Sequence, residues 1–332
     1  MAAAGSSGAQ PVAGGRVRPH CDRSRIAMRC ASSPCRIEAG YALVAVLWMV
    51  SALMLLVSAL VFQARTELRT VTAVRDTALA EARGDAAIQM ALRFIASDVK
   101  QFSAQRSLDV EFDGEGVRVL VTPLNGLVAI NAAPEPLLTA LFAHGAGLDP
   151  ATAQTLAQRV IDWRDPDGAA LPRGGENPEY AAAGVPFRTR GGAFEAPEDL
   201  LQVLGMDLET YDKIRGLITV DGGSARTNPL AAPFEVLLVL AQGNAAVAER
   251  VAAARDAGQV QVDTTTLMQE FTDQSSSSRF RLKAFVPLGA ERAIVRTVTV
   301  DAAPPPSSRL PWVVLRSERA LGIDGSASVA QR

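Results

Sequence analysis

Cysteine is confined to the beginning of this chain. Cys21, Cys30 and Cys35 all precede residue 40 of 332, so the region beyond holds no thiol and can form no disulfide in an oxidising compartment. Histidine is as scarce: His20 lies in the same early region and His144 stands alone. Cys–His and Ser–His nucleophile pairs and multi-histidine metal sites are thereby excluded for the main body. Aromatic residues make up 5% of the chain, and the formal net charge of −2 argues against a generally nucleic-acid-binding surface. No glycine-rich phosphate loop and no nucleophile–base constellation occurs, and a paired-carboxylate hydrolase would need an acid and a base at a fixed separation in a cleft. The expectation is a protein that is not an enzyme.

What the sequence does have is one long apolar run, Tyr41 to Phe62, without charge, glycine or proline. As a helix it is long enough to span a bilayer core. Before it stand Arg16, Arg18, Arg23, Arg25, Arg29 and Arg36 against Asp22 and Glu38, which by the positive-inside rule keeps residues 1–40 cytoplasmic and the bulk of the chain on the far side. A cleaved secretory signal fits poorly: the apolar core is too long, and Gln63-Ala64-Arg65-Thr66-Glu67 is no small-residue cleavage site. A plain signal anchor fits on composition. A third reading comes from the junction Gly40–Tyr41, where a basic leader ends in glycine just as the apolar helix begins.

From Gln63 to about Lys100 there is no proline, the one glycine is Gly84, and Ile88, Leu92, Ile95 and Val99 fall on one helical face. Apolar run and amphipathic continuation predict one rod of about 60 residues, roughly 90 Å long. Its alanine-rich stripe lacks sustained Leu or Ile at heptad positions, against a coiled coil. Beyond it, Leu108–Phe112 and Val117–Val121 alternate around the turn Asp113-Gly114-Glu115-Gly116 and read as a hairpin, with Gly126–Asn131 as a third strand. Arg279–Val286, Ala293–Val300 and Trp312–Leu315 are strand-like at the other end. One sheet built from both ends of the chain and packed on the N-terminal helix is the simplest arrangement.

The middle, 132–262, reads as a helical insertion. Three loosely similar units open on Ala133-Pro134-Glu135, Ala196-Pro197-Glu198 and Ala232-Pro233-Phe234-Glu235, each with proline and an acid at a helix start. They look like helix-hairpin-helix units, with Gly145-Ala146-Gly147 the best match to a phosphate-holding turn. Yet the insertion carries 17 acidic against 10 basic residues, which opposes phosphate binding. Within it, Asp162-Trp163-Arg164-Asp165-Pro166-Asp167-Gly168 and the following Glu176 and Glu179 gather hard oxygen ligands of the kind calcium prefers, with no His or Cys nearby to favour zinc. Local spacing equally allows these acids to cap helices and to pair with Arg164 and Arg173.

The basic leader ending in Gly40, the apolar helix and the amphipathic continuation resemble a type IV prepilin signal, cut after the glycine by a prepilin peptidase so that Tyr41 becomes a methylated mature N-terminus. Most pilins carry Glu at the fifth mature position; here it is Ala45. A carboxylate buried in lipid needs a cation, which in a filament would be the amine of a neighbouring subunit. An apolar residue there is similar to the type II secretion system protein K family, the large minor pseudopilin at the pseudopilus tip. The segment Asp162–Tyr180 and the string Phe194–Met206 look like that family's inserted helical domain.

The resemblance implies an α+β, type IV pilin-like fold, with a long N-terminal helix on an antiparallel sheet and the helical domain inserted between strands. It implies a non-enzymatic role: initiating and capping the tip of the pseudopilus together with other minor pseudopilins, in a system that exports folded proteins across the outer membrane. The protein would sit in the inner membrane by a single pass, with most of the chain periplasmic and no nucleic acid partner. The family's domain holds calcium, which carried over implies Ca2+ at Asp165, Asp167 and Glu176, and also at Asp162 and Glu179. The expected divisions are a leader 1–40 with Met28 as the expected start, so that 1–27 is not translated, a membrane part 41–62, the rest of the helix and first strands 63–131, the insertion 132–262, C-terminal strands 263–318 and a disordered tail 319–332. The alternative is a single-pass membrane DNA receptor of competence type with helix-hairpin-helix units.

Overall fold

The computed structural model describes residues 39–324, apart from 113, 260, 290, 291, 304–306 and 309. The leader up to residue 38, with its three cysteines, and the tail from 325 lie outside the described residues. The chain divides into two compact units, one up to Thr66 and one from Glu67.

Helix α1 runs without a break over Ala39–Ser97, 59 residues. In the first unit its apolar side chains, Leu43, Leu47, Trp48, Leu53 and Phe62 among them, are all exposed. It is the one described helix long and apolar enough to cross a membrane, with a mean hydropathy of 2.6 over its best 18-residue window. In the second unit its character changes. Ala80, Ala87, Ile88, Ala91, Leu92 and Ile95 are buried along one stripe, while Phe94 on another face is 56% exposed. Gly84 lets the helix approach the sheet, since a Cβ there would stand 3.1 Å from the Arg296 Cβ. The helix stops at Ser97, short of the expected Lys100, because the Asp98 carboxylate accepts from the Lys100 N–H and starts a 3₁₀ turn over Val99–Phe102.

The sheet uses both ends of the chain. β1 (Arg106–Phe112) and β2 (Glu115–Pro123) form the expected hairpin, and β2 pairs antiparallel with β5 (Arg279–Pro287), which pairs with β6 (Arg292–Asp301). Beyond β6, β7 (Val313–Ser317) pairs along Val298–Asp301 and β8 (Leu321–Asp324) along Arg292–Val295. The tail expected to be disordered from 319 therefore contributes a strand, because β6 is ten residues long and β7 covers only part of its outer edge.

Alternation gives the sheet two distinct faces. Val117, Val119, Val121, Phe280, Leu282, Ala284, Val286, Val298 and Val300 are buried with the α1 stripe in one core. Arg118, Leu120, Thr122, Arg281, Lys283 and Phe285 take the opposite face.

Everything between β2 and β5 belongs to the helical part, which is longer at both ends than 132–262. The expected third strand does not join the main sheet. Pro123 ends β2, a 3₁₀ turn over Leu124–Gly126 redirects the chain, and only β3 (Val128–Ala129) is extended, pairing parallel with β4 (Ile218–Thr219) in a sheet of two strands. The redirection needs a glycine: a Cβ on Gly126 would lie 2.3 Å from the Ala231 carbonyl oxygen. Among the described residues, six α-helices fill this part: α2 (Glu135–Ala140), α3 (Pro150–Arg164), α4 (Asn177–Ala182), α5 (Leu208–Ile214), α6 (Phe234–Leu240) and α7 (Ala245–Asp256). They enclose a second core around Leu137, Leu138, Phe142, Tyr180, Leu237 and Leu240.

The α1 stripe should carry much of the stability of the sheet unit. Leu92→Ala is expected to cost about 2–5 kcal/mol, as for other buried large-to-small changes, and Phe94→Ala less than about 0.5 kcal/mol. Urea titration of the full chain in an uncharged detergent reads the difference.

Candidate metal centre

Helix α3 brings the acidic segment to one place. Asp149 caps it by accepting from the Ala151 and Thr152 N–H groups, both at 3.1 Å, and Pro150 occupies its first turn. The Thr152 side chain first, and then these backbone N–H bonds, hold the Asp149 carboxyl below its usual range. Ala153, Leu156, Ala157, Val160 and Trp163 form its buried face. Behind the acids, Trp163 stacks against Phe194 at 6.1 Å and tilts against Tyr180 at 6.0 Å. The helix ends at Arg164, and Asp165 is extended, as a residue before proline must be.

Asp162 is 0% exposed, and its carboxylate clasps the loop that follows. Oδ2 accepts from the Gly175 N–H at 2.7 Å and from the Leu171 N–H at 3.1 Å. Gly174 is required by this approach, since a Cβ on it would lie 1.8 Å from Oδ2. Glu179 closes the start of α4, its Oε2 accepting from the Glu176 N–H at 2.9 Å. Asp167 accepts from the Ala169 N–H at 2.9 Å. Glu176 is 4% exposed; Oε2 accepts from the Thr189 hydroxyl at 2.8 Å, while Oε1 is buried without a partner. Asp165 Oδ1 is buried without a partner as well.

The two arginines do not neutralise this group. Arg164 donates to the Ile130 and Ala133 carbonyls, and Arg173 donates its backbone N–H to Gln158 and a guanidinium N–H to the Ala151 carbonyl. Burial, reinforced by Asp167, Asp162 and Glu176, pushes the Asp165 carboxyl above its usual range, with Arg164 opposing. Burial is likewise the first cause raising Asp162, ahead of the opposing N–H bonds from Gly175 and Leu171.

Among the described residues no three Asp, Glu, His or Cys side chains converge as a finished metal cage. The five expected ligands therefore separate. Asp162, Asp167 and Glu179 are already engaged by backbone N–H groups, whereas Asp165 and Glu176 each keep a buried carboxylate oxygen with nothing to satisfy it. Such orphaned anionic oxygens fit a hard cation. Thr189, which fixes the orientation of Glu176, has no signal in the sequence, because it reaches the site from a loop 13 residues away.

The three units with Ala-Pro starts form helix pairs, each turning through a glycine of positive φ: Gly147 between α2 and α3, Gly205 between the 3₁₀ turn Pro197–Gln202 and α5, and Gly243 between α6 and α7. Gly205 and Gly243 are also sites of close approach, by Arg159 and by His144.

Residues 122–223 match the model of the family described as "Type II secretion system (T2SS), protein K", its first domain. This segment is similar to the first domain of the type II secretion system protein K family. The matched span opens at the end of β2 and takes in α2 to α5, with all five acidic positions of the loop. In known structures, the chain resembles one from the crystal structure of the GspK-GspI-GspJ complex of the enterotoxigenic Escherichia coli type 2 secretion system, with 18% identity and a TM-score of 0.48. That alignment covers 79% of this chain and 99% of the other, a likeness too loose to speak of function. No curated protein matches significantly.

The segment 122–223 should depend on Gly174 for its buried carboxylate. Gly174→Ala is expected to destabilise by about 2 kcal/mol or more, since Asp162 must leave its bonds or the loop must move. Thermal unfolding of the full chain in uncharged detergent, beside Gly168→Ala as a control in open space, checks this.

Proposed function

We propose that the chain is a minor pseudopilin of a type II secretion system, which initiates and caps the tip of the pseudopilus together with other minor pseudopilins. The protein K match over residues 122–223 carries the reading. The apolar start of α1 supports a single pass through the inner membrane, with the sheet and the helical part periplasmic. Leu68, Val71, Val74 and Leu79 leave an exposed apolar side on the same helix outside the membrane part, which suits packing against the rods of partner pseudopilins. A prepilin peptidase would cut between Gly40 and Tyr41. The work of such a subunit is assembly, and export of folded proteins follows from the filament it seeds.

Under this reading Gly40→Ala leaves the leader attached, whereas the parent chain yields a mature form beginning at a methylated Tyr41. Intact-mass measurement of the membrane-extracted protein distinguishes them, and normal processing of the variant would sink the assignment.

Calcium belongs to the proposal as well. Asp165 and Glu176 would hold Ca2+ through their unpartnered oxygens, with Asp167 next in line; Asp162 and Glu179 shape the loops from behind. The ion would supply the positive charge that these carboxylates lack. In the ion-free fold Asp165 holds its proton more tightly than the unfolded chain does. Its contribution is therefore fully present below an unfolded pKa of about 3.9 and is lost as pH rises through the raised folded value. Three outcomes follow for the full chain in detergent. EDTA lowers the melting temperature at pH 7; Asp165→Asn raises it in EDTA at pH 7 but not at pH 4; and the same substitution lowers it in excess calcium. A melting curve indifferent to EDTA removes the metal.

A further inference from the structure

The face of the sheet turned away from α1 forms the floor of a cleft of about 960 Å³, roofed by α5 and by residues of α6 and α7. It crosses the sheet from Ser107 on β1 to Leu321 on β8. Two cations stand on its floor at alternate positions of β5. Arg281 is 5% exposed. One guanidinium nitrogen donates to the Ile218 carbonyl at 2.8 Å and another reaches the Gly216 carbonyl at 3.4 Å, but Nε is buried without a partner. Lys283 follows two residues on. Among the described residues no hydrogen bond or ion pair engages its ammonium, and burial, with Arg281 and Arg215 adding, holds its pKa below the usual range. Glu318 and Glu235 oppose that shift through space only.

Four other cations of the cleft differ. Arg118 pairs with Asp109 at 3.2 Å, Arg215 with Asp212 at 3.4 Å, Arg255 with Asp256 at 2.8 Å and Lys213 with Glu209 at 2.7 Å. These four are thus each paired with an acid, while Arg106 also lines the rim and, on the floor, the Arg281 Nε and the Lys283 ammonium have no acid in contact, Glu235 and Glu318 standing in the same cleft without pairing to them. Leu120, Phe285, Phe234 and Leu321 lie around them in the same cleft. A floor that offers an unpartnered guanidinium N–H of Arg281 and the unpaired ammonium of Lys283 beside apolar side chains is complementary to carboxylates spaced between apolar side chains.

We propose that this cleft is a docking site for an acidic polypeptide segment, whose carboxylates meet Arg281 and Lys283 while its apolar side chains rest on Leu120 and Phe285. A segment of this kind has both chemistries on alternate sides of an extended backbone, and the cleft, at the upper end of ligand-site volumes, admits several residues. The site lies apart from the acidic loops and does not depend on an ion there.

The test uses the full chain in an uncharged detergent and a fluorescein-labelled octapeptide of alternating glutamate and valine, followed by fluorescence anisotropy. The peptide is expected to bind, to weaken as salt rises, and to lose at least tenfold in affinity with Lys283→Met. Replacing a desolvated, unpaired lysine by an apolar side chain leaves the fold intact. Lys213→Met, on the already paired rim, should change affinity less than twofold. Equal binding by the glutamine–valine peptide, or an unchanged affinity in Lys283→Met, would overturn the proposal. So would displacement by inorganic phosphate at the concentration of glutamate side chains, which would make this a small-anion site.

Discussion

The central strands β2 and β5 have two faces, and each must be covered. Alternation sends Val119, Val121, Phe280 and Leu282 to one side, where the stripe of α1 buries them. The other side receives Thr122, Arg281 and Lys283, which sit under the helical part. Two cores result, and they divide the labour. The α1 core makes a sheet unit that would be complete if β2 ran straight into β5. The chain instead leaves the sheet at Pro123 and returns at Arg279, having built a second core of its own. Covering a polar sheet face with a separate folded part leaves a space between them, and the desolvated cations lie there.

The same division explains the acidic loops. Asp162 is polar, central and fully buried, a position tolerated because two backbone N–H groups satisfy its carboxylate. Its hydrogen bonds draw the loop after α3 down onto the helix, and Asp165 feels the charge of Glu176 through space. These two have no such compensation, and each keeps an oxygen out of reach of any donor. Asp165 stands at the C-terminal end of α3, where the macrodipole is negative and a carboxylate is disfavoured, whereas Glu176 caps the N-terminus of α4. The neighbouring arginines point elsewhere, Arg164 to the Ile130 and Ala133 carbonyls after β3 and Arg173 to the Ala151 carbonyl of α3.

Much of the fold was legible. The apolar run, the helical stripe through Ile88, Leu92 and Ile95, the hairpin around Gly114 and the strands after Arg279 follow from periodicity and turn chemistry, which are local properties. The third strand was not legible, because Gly126–Asn131 has strand composition. What stops it from joining the sheet is the approach of Ala231 to Gly126, a contact across about a hundred residues. β8 was hidden for a similar reason: Leu321–Asp324 is a strand only because β6 offers it a free edge.

The sequence by itself determined that a membrane-length helix continues into an amphipathic one, that thiol and histidine chemistry is absent beyond residue 40 apart from His144, and that an acidic segment lies between two sets of strands. Composition and period are enough for such statements. Only the tertiary structure decided which acids are engaged by backbone and which are left unsatisfied, and that Arg281 and Lys283 face a cleft instead of solvent. Those distinctions depend on partners far apart in the chain, on burial and on the direction of individual oxygens, none of which is written in residue order.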